Sequence, residues 1–398
     1  MSNKLQSHTQ INKSHMIWFA LSITLLGVSS TDIYISSLPK MVSYFNTNPD
    51  MINLTISCYT FAMAIGGLFI GILSNRFGRR PTLLTGMVLY IVTSSLIAYT
   101  NSIVIMIILR IIQGIACSTI AVMTRIIFKD IMDIEEQVHA NGMLVMGIVI
   151  SPAIAPSIGA YLAEHFDWQS CFKLSAFIGA ILLAFAFRIV KETNSTPIAK
   201  LERPTVYLTE YINILRDKYC QNLLIIASFS FAAYYVFIGI SSYLYINKLQ
   251  ISPINYSYIF IIIAIGYFAG NSLMMFLNKN HITPNRIIKI GLSISLVGLM
   301  FIIIACVINN ITAIAWLLTI GVLIMRGGSA LIISPVQVKL VEHVPTKSAF
   351  AVGLAQFIQF ALSSLAVSTV VLFHNIPLFG MLLMTIITFT PVIVIGYR

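Results

Sequence analysis

The stretch GILSNRFGRRP, Gly71–Pro81, sets Arg76, Arg79 and Arg80 within five positions, between two long runs that carry no charge. That contrast recurs along the whole chain. Of its 398 residues, 58% are hydrophobic and only 9% are charged. A soluble domain carries about 25% charged residues, so this chain has too little polar surface to cover a core in water. Repeated apolar runs of about 20 residues match the thickness of a bilayer instead. The basic knot then reads as a short turn at a membrane surface.

The apolar runs fall at 16–38, 51–74, 82–100, 103–125, 138–163, 168–190, 219–246, 254–278, 285–307, 312–336, 348–373 and 376–397. These twelve predict an all-α integral membrane protein with both termini on one side. The first run is too long for a signal peptide, contains Asp32 and lacks a small-x-small cleavage site. Most connections are short. The exception, 191–218, is polar, has two prolines and lies at the midpoint. It divides the chain into six spans over 1–190 and six over 219–398.

Basic residues orient the spans. With a cytoplasmic N-terminus, only Lys40, Lys173 and Lys248 fall outside, and Arg110 and Arg326 fall within spans. Every other lysine and arginine lies inside, from Lys4 and Lys13 through Arg125, Lys200 and Arg203 to Arg398. The net charge of +11 is thereby accounted for by topology. Basic residues spread over many loops do not form a nucleic-acid surface. The five cysteines (Cys58, Cys117, Cys171, Cys220, Cys306) show no CxxC spacing, so neither a metal site nor a disulfide framework is indicated. No P-loop, HExxH or nucleophilic triad occurs. The expectation is neither an enzyme nor a receptor, with no cofactor and with energy for any work drawn from a partner or an ion gradient.

Asp32 is the only acidic residue well within a span. An ionisable group in hydrocarbon costs at least ~2.5 kcal/mol, so it is a functional candidate by default. A carboxylate merely solvated near the headgroups is the plainer alternative. At ~1.5 Å per residue, Asp32 lies about 9 Å below the outer surface and Arg110 about 10 Å. The two share a depth, which leaves direct pairing open. Arg326 lies deeper by roughly 10 Å and has no matching acid; it could bind carbonyls, line a cavity or attract an anion. Gln113 follows Arg110 on the same helical face, and Gly114 allows close helix approach. In the fifth span, Pro152 and Pro156, flanked by Gly147 and Gly159, should bend the helix and pack it tightly. Tyr34, Tyr59, Tyr234 and Tyr235, with Arg326, are candidates for a substrate cavity that binds ring faces or cations.

These stretches resemble the motifs of the major facilitator superfamily. GILSNRFGRRP is similar to the loop 2–3 signature Gly-x-Leu-(Ser/Ala)-Asp-Arg-x-Gly-Arg-(Lys/Arg)-x, matching at Gly71, Leu73, Ser74, Arg76, Gly78, Arg79 and Arg80. It departs at Asn75, where the family usually has Asp. RIIQG, Arg110–Gly114, resembles the span 4 signature. PAIAPSIGA, Pro152–Ala160, resembles the antiporter signature of span 5. TDIYISSLP, Thr31–Pro39, resembles the first-span motif of the Bcr/CflA drug-resistance branch, with Ile35 and Ser36 as departures. In the C-terminal half, the counterpart of the basic loop, NKNHITPNRIIK, is degenerate.

The resemblance implies two six-helix bundles around a central cavity, working by alternating access. It implies a monomer in a bacterial inner membrane, with cytoplasmic termini, that exports small drug-like or amphipathic solutes in exchange for protons. Asp32 would carry the proton and Arg110 would tune it. Burial and a nearby guanidinium act in opposite senses on a carboxylate, so a group between them can take up and release a proton. A dedicated exporter of a siderophore or metabolite would use the same fold, and import by symport is a third possibility. The basic loop would act as a latch favouring the outward-facing state. With Asn75 lacking the usual charge, a weaker latch and an inward-biased resting state are expected.

Overall fold

A computed structural model describes residues 12–194, 204–344 and 347–397. The segment 195–203 of the central linker, with Lys200 and Arg203, lies outside the described residues, as do Lys4 and Arg398. The described chain is helical throughout: α1 (Lys13–Asp32), α2 (Leu38–Tyr44), α3 (Pro49–Phe77), α4 (Arg79–Tyr99), α5 (Ile103–Ile131), α6 (Ile134–His165), α7 (Gln169–Ile189), α8 (Pro204–Arg216), α9 (Lys218–Ser242), α10 (Pro253–Lys279), α11 (Pro284–Val307), α12 (Ile311–His343), α13 (Ser348–Val370) and α14 (Pro377–Gly396). Among the described residues, eleven helical segments are long and apolar enough to cross a membrane. The remaining predicted span, 138–163, lies within the 32-residue α6.

Polar caps at the loop ends set where these helices begin. Asn48, Ser102, Ser252 and Asn310 each accept a backbone N–H of the first turn. Asp133 and Glu136 form a reciprocal capping box at the start of α6, satisfying donors that would otherwise be stranded near lipid. The outward faces are apolar, with Phe69, Leu96, Phe177, Phe276 and Trp316 all exposed, as contact with hydrocarbon requires.

The first span is not a single helix. α1 stops at Asp32, a 3₁₀ turn covers Ile35–Ser37, and α2 resumes the path. Pro39 supplies the physical reason: in a continuous helix it would lack the donor for the Ile35 carbonyl and clash with it. α6, by contrast, remains helical through Pro152 and Pro156. Gly159 lies directly against the carbonyl of Ile33 beside the break, and Gly147 against Leu21.

α3 packs on α5, α4 on α5 and α7, and α1 on α6; in the second half α11 packs on α12, and α9 on α12 and α14. The two halves meet where α3 packs on α13 and α6 on α10. The α3–α4 turn lies on one face of the protein, opposite the far face. α5 runs on past the predicted end of its span at Arg125 to Ile131. Arg125 is therefore a helical residue rather than a loop residue.

Candidate functional site

α1 ends facing the middle of the protein, and its last residue is Asp32. The carboxylate is 6% exposed. It accepts only two long hydrogen bonds, from Thr31 Oγ1 at 3.4 Å and from Ser151 Oγ of α6 at 3.4 Å. No cation lies within ion-pairing distance of it among the described residues.

Arg110 is completely buried. Its guanidinium donates to the Ser30 carbonyl at 3.1 Å, the Thr55 carbonyl at 3.1 Å and Gln113 Oε1 at 2.7 Å. Gln113 passes the connection on to Ser94 Oγ of α4 at 2.7 Å. The carbonyls near the end of α1 lack normal helical partners because the helix breaks, and Arg110 takes up one of them. Its charge lies against aromatic faces, 4.0 Å from the Tyr59 ring centroid, 5.0 Å from Tyr34 and 6.0 Å from Phe172. Gly114 lets α5 reach the backbone of Tyr59 so closely that a Cβ there would clash. Arg110 reaches the Ser30 carbonyl, two residues before Asp32, but it ties α1, α3 and α5 together instead of forming an ion pair.

Arg326 occupies the second half. It lies 4.0 Å from the Tyr234 ring centroid and 4.6 Å from Tyr267. Its Nη1 is buried and makes no hydrogen bond. Tyr234 in turn meets Tyr235 edge to face at 6.1 Å.

A cavity of about 140 Å³ lies between the halves. Thr31, Tyr59, Arg125, Phe231, Tyr235 and Gln356 are among its walls. Of the candidate cavity residues, Tyr59 and Tyr235 face it. Tyr34 does not line it: its ring packs on Phe172 at 5.3 Å, and its hydroxyl lies 2.9 Å from Thr55 Oγ1. Tyr234 and Arg326 line a separate cavity of about 20 Å³ inside the second half. Towards the far face the halves are joined. Asn53 Nδ2 donates to the Gly239 carbonyl at 2.6 Å, and Ser364 Oγ to the Ser57 carbonyl at 2.8 Å. His374 and Asp50 approach to 3.9 Å nearby.

The α3–α4 turn is held by acids. Gly78 has φ +93°, a conformation that favours glycine. It presents the backbone N–H groups of Arg79 and Arg80 to the Glu192 carboxylate, at 2.8 and 3.2 Å. A carboxylate at a helix N-terminus is favoured by the exposed donors and the dipole. Arg79 also pairs with Asp130 of α5 at 3.3 Å, and donates to Asn75 Oδ1 at 2.7 Å and Ser74 Oγ at 2.5 Å. Arg80 reaches the Phe187 carbonyl at 3.1 Å, while Arg76 is exposed with its guanidinium 5.4 Å from the Phe77 ring. Gly71 faces Ile126 and Val122 of α5.

Comparison with known proteins agrees with this architecture. The model of the Major Facilitator Superfamily matches residues 17–368. The chain belongs to this superfamily. A bicyclomycin resistance protein homolog from Haemophilus influenzae is 23% identical over 352 residues, covering 87% of this chain and 86% of that protein. An uncharacterized transporter from Rickettsia bellii is 27% identical over 282 residues, with 71% and 69% covered. Multidrug resistance protein D of Escherichia coli is 26% identical over 199 residues, half of each chain at 50%. Among solved structures, a D-xylose–proton symporter superposes with a TM-score of 0.72 at 15% identity, over 95% of this chain and 96% of its own. An inward-facing bacterial homolog of the lysosomal transporter Spinster gives 0.72 at 12% identity, over 97% and 95%. This is the major facilitator fold, and the chain is a multi-pass membrane transporter rather than an enzyme.

Several residues of this major facilitator site escape the sequence reading. Glu192 and Asp130 supply negative charge to a turn whose own acidic position is Asn75. Arg125, Phe231 and Gln356 line the cavity. A signal for Glu192 is present, since it places an acid beside Lys191 where the basic turn must pack. Gln356 has no signal in the sequence, and Phe231 is one of several aromatics in the seventh span, so which of them faces the cavity depends on how the two halves meet.

Proposed function

We propose that this protein is a proton-coupled antiporter that exports small drug-like or amphipathic solutes by alternating access. The observation that carries the proposal is Asp32: a buried carboxylate at a helix break, between the halves, with no fixed counter-ion. An acid paired in a rigid salt bridge is poorly suited to exchange protons. One held by two long hydroxyl contacts can change charge as its surroundings change.

In the proposed cycle, solute enters the cavity beside Thr31 and Tyr235 while Asp32 releases its proton to the cytoplasm. Protonation from outside then favours the opposite facing state. Each proton entering down the potential supplies ~2.3 kcal/mol per 100 mV, plus the pH contribution. The contacts Asn53–Gly239 and Ser57–Ser364 close the far side and must part during the cycle. Gly147 and Gly159 let α6 lie close against α1, Gly159 at the break itself, so movement of one is felt by the other. In this reading the protein is a monomer of a bacterial inner membrane, its termini are cytoplasmic, and no cofactor takes part. The names of the relatives, bicyclomycin resistance and multidrug resistance, support solute export.

A second reading is favoured by the cavity itself. A volume of about 140 Å³, with Arg125 as the charged residue among its described walls, suits one compact neutral or anionic metabolite. Drug-sized ligands occupy roughly 300–1,000 Å³, so the first reading requires the halves to separate further. Uptake into inverted vesicles, with and without a proton gradient, decides between them. Gradient-dependent uptake of several unrelated dyes supports the first reading, and uptake confined to compact metabolites supports the second. Uptake indifferent to the gradient would overturn both.

A further inference from the structure

The inner ends of α9 and α12 bring together three side chains that the sequence separates widely. Asp217 precedes α9, Cys220 lies in its first turn, and His343 ends α12. One oxygen, one sulfur and one nitrogen from these residues all lie within 4.8 Å of one another. His343 Nε2 is 3.1 Å from Asp217 Oδ2.

We propose that Asp217, Cys220 and His343 bind a single borderline-soft divalent cation of the Zn²⁺ type. The donor set is the first argument. Thiolate, imidazole and carboxylate together are the ligands of Zn²⁺, whereas Mg²⁺ and Ca²⁺ take oxygen alone. Two negative ligands with one neutral imidazole balance a divalent charge.

The surroundings are the second argument. Asp217 uses Oδ1 to accept the backbone N–H groups of Tyr219 and Cys220, at 2.8 and 2.9 Å, which fixes the carboxylate and leaves Oδ2 for another partner. The Tyr219 ring lies 4.6 Å from the His343 ring and restrains it. Such supporting contacts are what a metal site requires of its outer shell. Cys220 is buried, while the Asp217 and His343 side chains are 40% and 38% exposed. The site is therefore walled by protein on the sulfur side and open to solvent on the other. That leaves an entry path and a fourth position for water. Lys339 does not occupy the site, because its ammonium is held by Asn285 and lies 5.3 Å from the Tyr219 ring centroid.

The location gives the site a purpose. Asp217 joins the linker helix α8 to the second half, and Lys347 at the start of α13 pairs with Glu210 of α8 at 2.5 Å. A bound ion fastens α12 to α9 at this junction and stiffens the attachment of the linker.

The test uses purified full-length protein in a chelator-free buffer with a non-coordinating reductant, titrated with Co²⁺ as the probe. The expected result is one Co²⁺ per chain, a sulfur-to-cobalt charge-transfer band, and displacement by Zn²⁺. Cys220→Ser should abolish the band. His343→Ala should weaken binding by about tenfold or more. Asp217→Asn keeps a residue that caps helices equally well, so weaker binding there reports the lost ligand rather than a lost cap. The proposal is overturned if the wild-type protein shows no charge-transfer band at excess Co²⁺. It is equally overturned if the band survives in Cys220→Ser, or if His343→Ala and Asp217→Asn both bind as tightly as wild type.

Discussion

Arg110 and Arg326 occupy the fourth and tenth spans, one in each half, and their surroundings differ sharply. Arg110 is fully buried and makes three hydrogen bonds, two of them to backbone carbonyls of other helices. Arg326 is half-buried and rests on two tyrosine rings; each guanidinium keeps one buried nitrogen without a partner, Nη2 in Arg110 and Nη1 in Arg326. A guanidinium satisfied by backbone acts as a brace, because moving it strands carbonyls in a medium without water. One satisfied by aromatic faces can shift with little loss, since ring faces bind a cation without fixed direction. Arg110 is thus built to stay in place, and Arg326 to respond.

Asp32 has no ion-pair partner among the described residues, and replacing it gives the largest expected effect on transport. Asp32→Asn should reduce gradient-driven uptake to the level of empty vesicles while the protein still inserts and folds. Undiminished uptake by that variant would sink the proton-carrier role. Next comes Arg110→Ala, which strands the Ser30 and Thr55 carbonyls and leaves a void. A loss of about 3 kcal/mol is expected, read as a lower melting temperature in detergent. Arg110→Lys keeps a charge but lacks the planar fork and should fall between the two. If Arg110→Ala melts like wild type, Arg110 is not a brace. Arg326→Ala should cost less than about 1 kcal/mol, because it strands no partner, yet it should change the pH dependence of uptake. A large melting shift together with an unchanged pH profile would reverse the comparison.

The turns of the two halves extend the contrast. The α3–α4 turn is bound by Glu192 and Asp130. In the corresponding α10–α11 region, Lys279, Arg286 and Lys289 make no ion pair among the described residues. Glu192→Gln should loosen the start of α4 by about 0.5–1 kcal/mol, the range of an exposed dipole interaction. It should also raise the reactivity of a cysteine introduced at Arg80. Asn75→Asp has the smallest expected effect. Asn75 already accepts from Arg79, and Asp130 already supplies the charge, so cysteine accessibility at the far face should move only slightly. A large shift towards the outward-facing state would restore Asn75 as the weak point of the latch.

The stretch Gly71–Pro81 shows how far a sequence reaches. Its arginines, its glycines and the apolar runs beside it determined a membrane fold and the position of a tight basic turn. The same physics made Asp32 and Arg110 conspicuous, since a charge in an apolar run is costly wherever the run packs. Composition could not assign partners. Arg110 met a carbonyl exposed by the break in α1, and that break depends on Pro39 and on the close approach of Gly159. Glu192 reached the start of α4 from 113 positions away, and His343 reached Asp217 from 126. Helix formation and burial in lipid are local properties of a run of residues, and the sequence by itself determined them. Which buried charge meets carbonyl, ring, carboxylate or empty space depends on contacts between distant helices, and only the tertiary structure decided it.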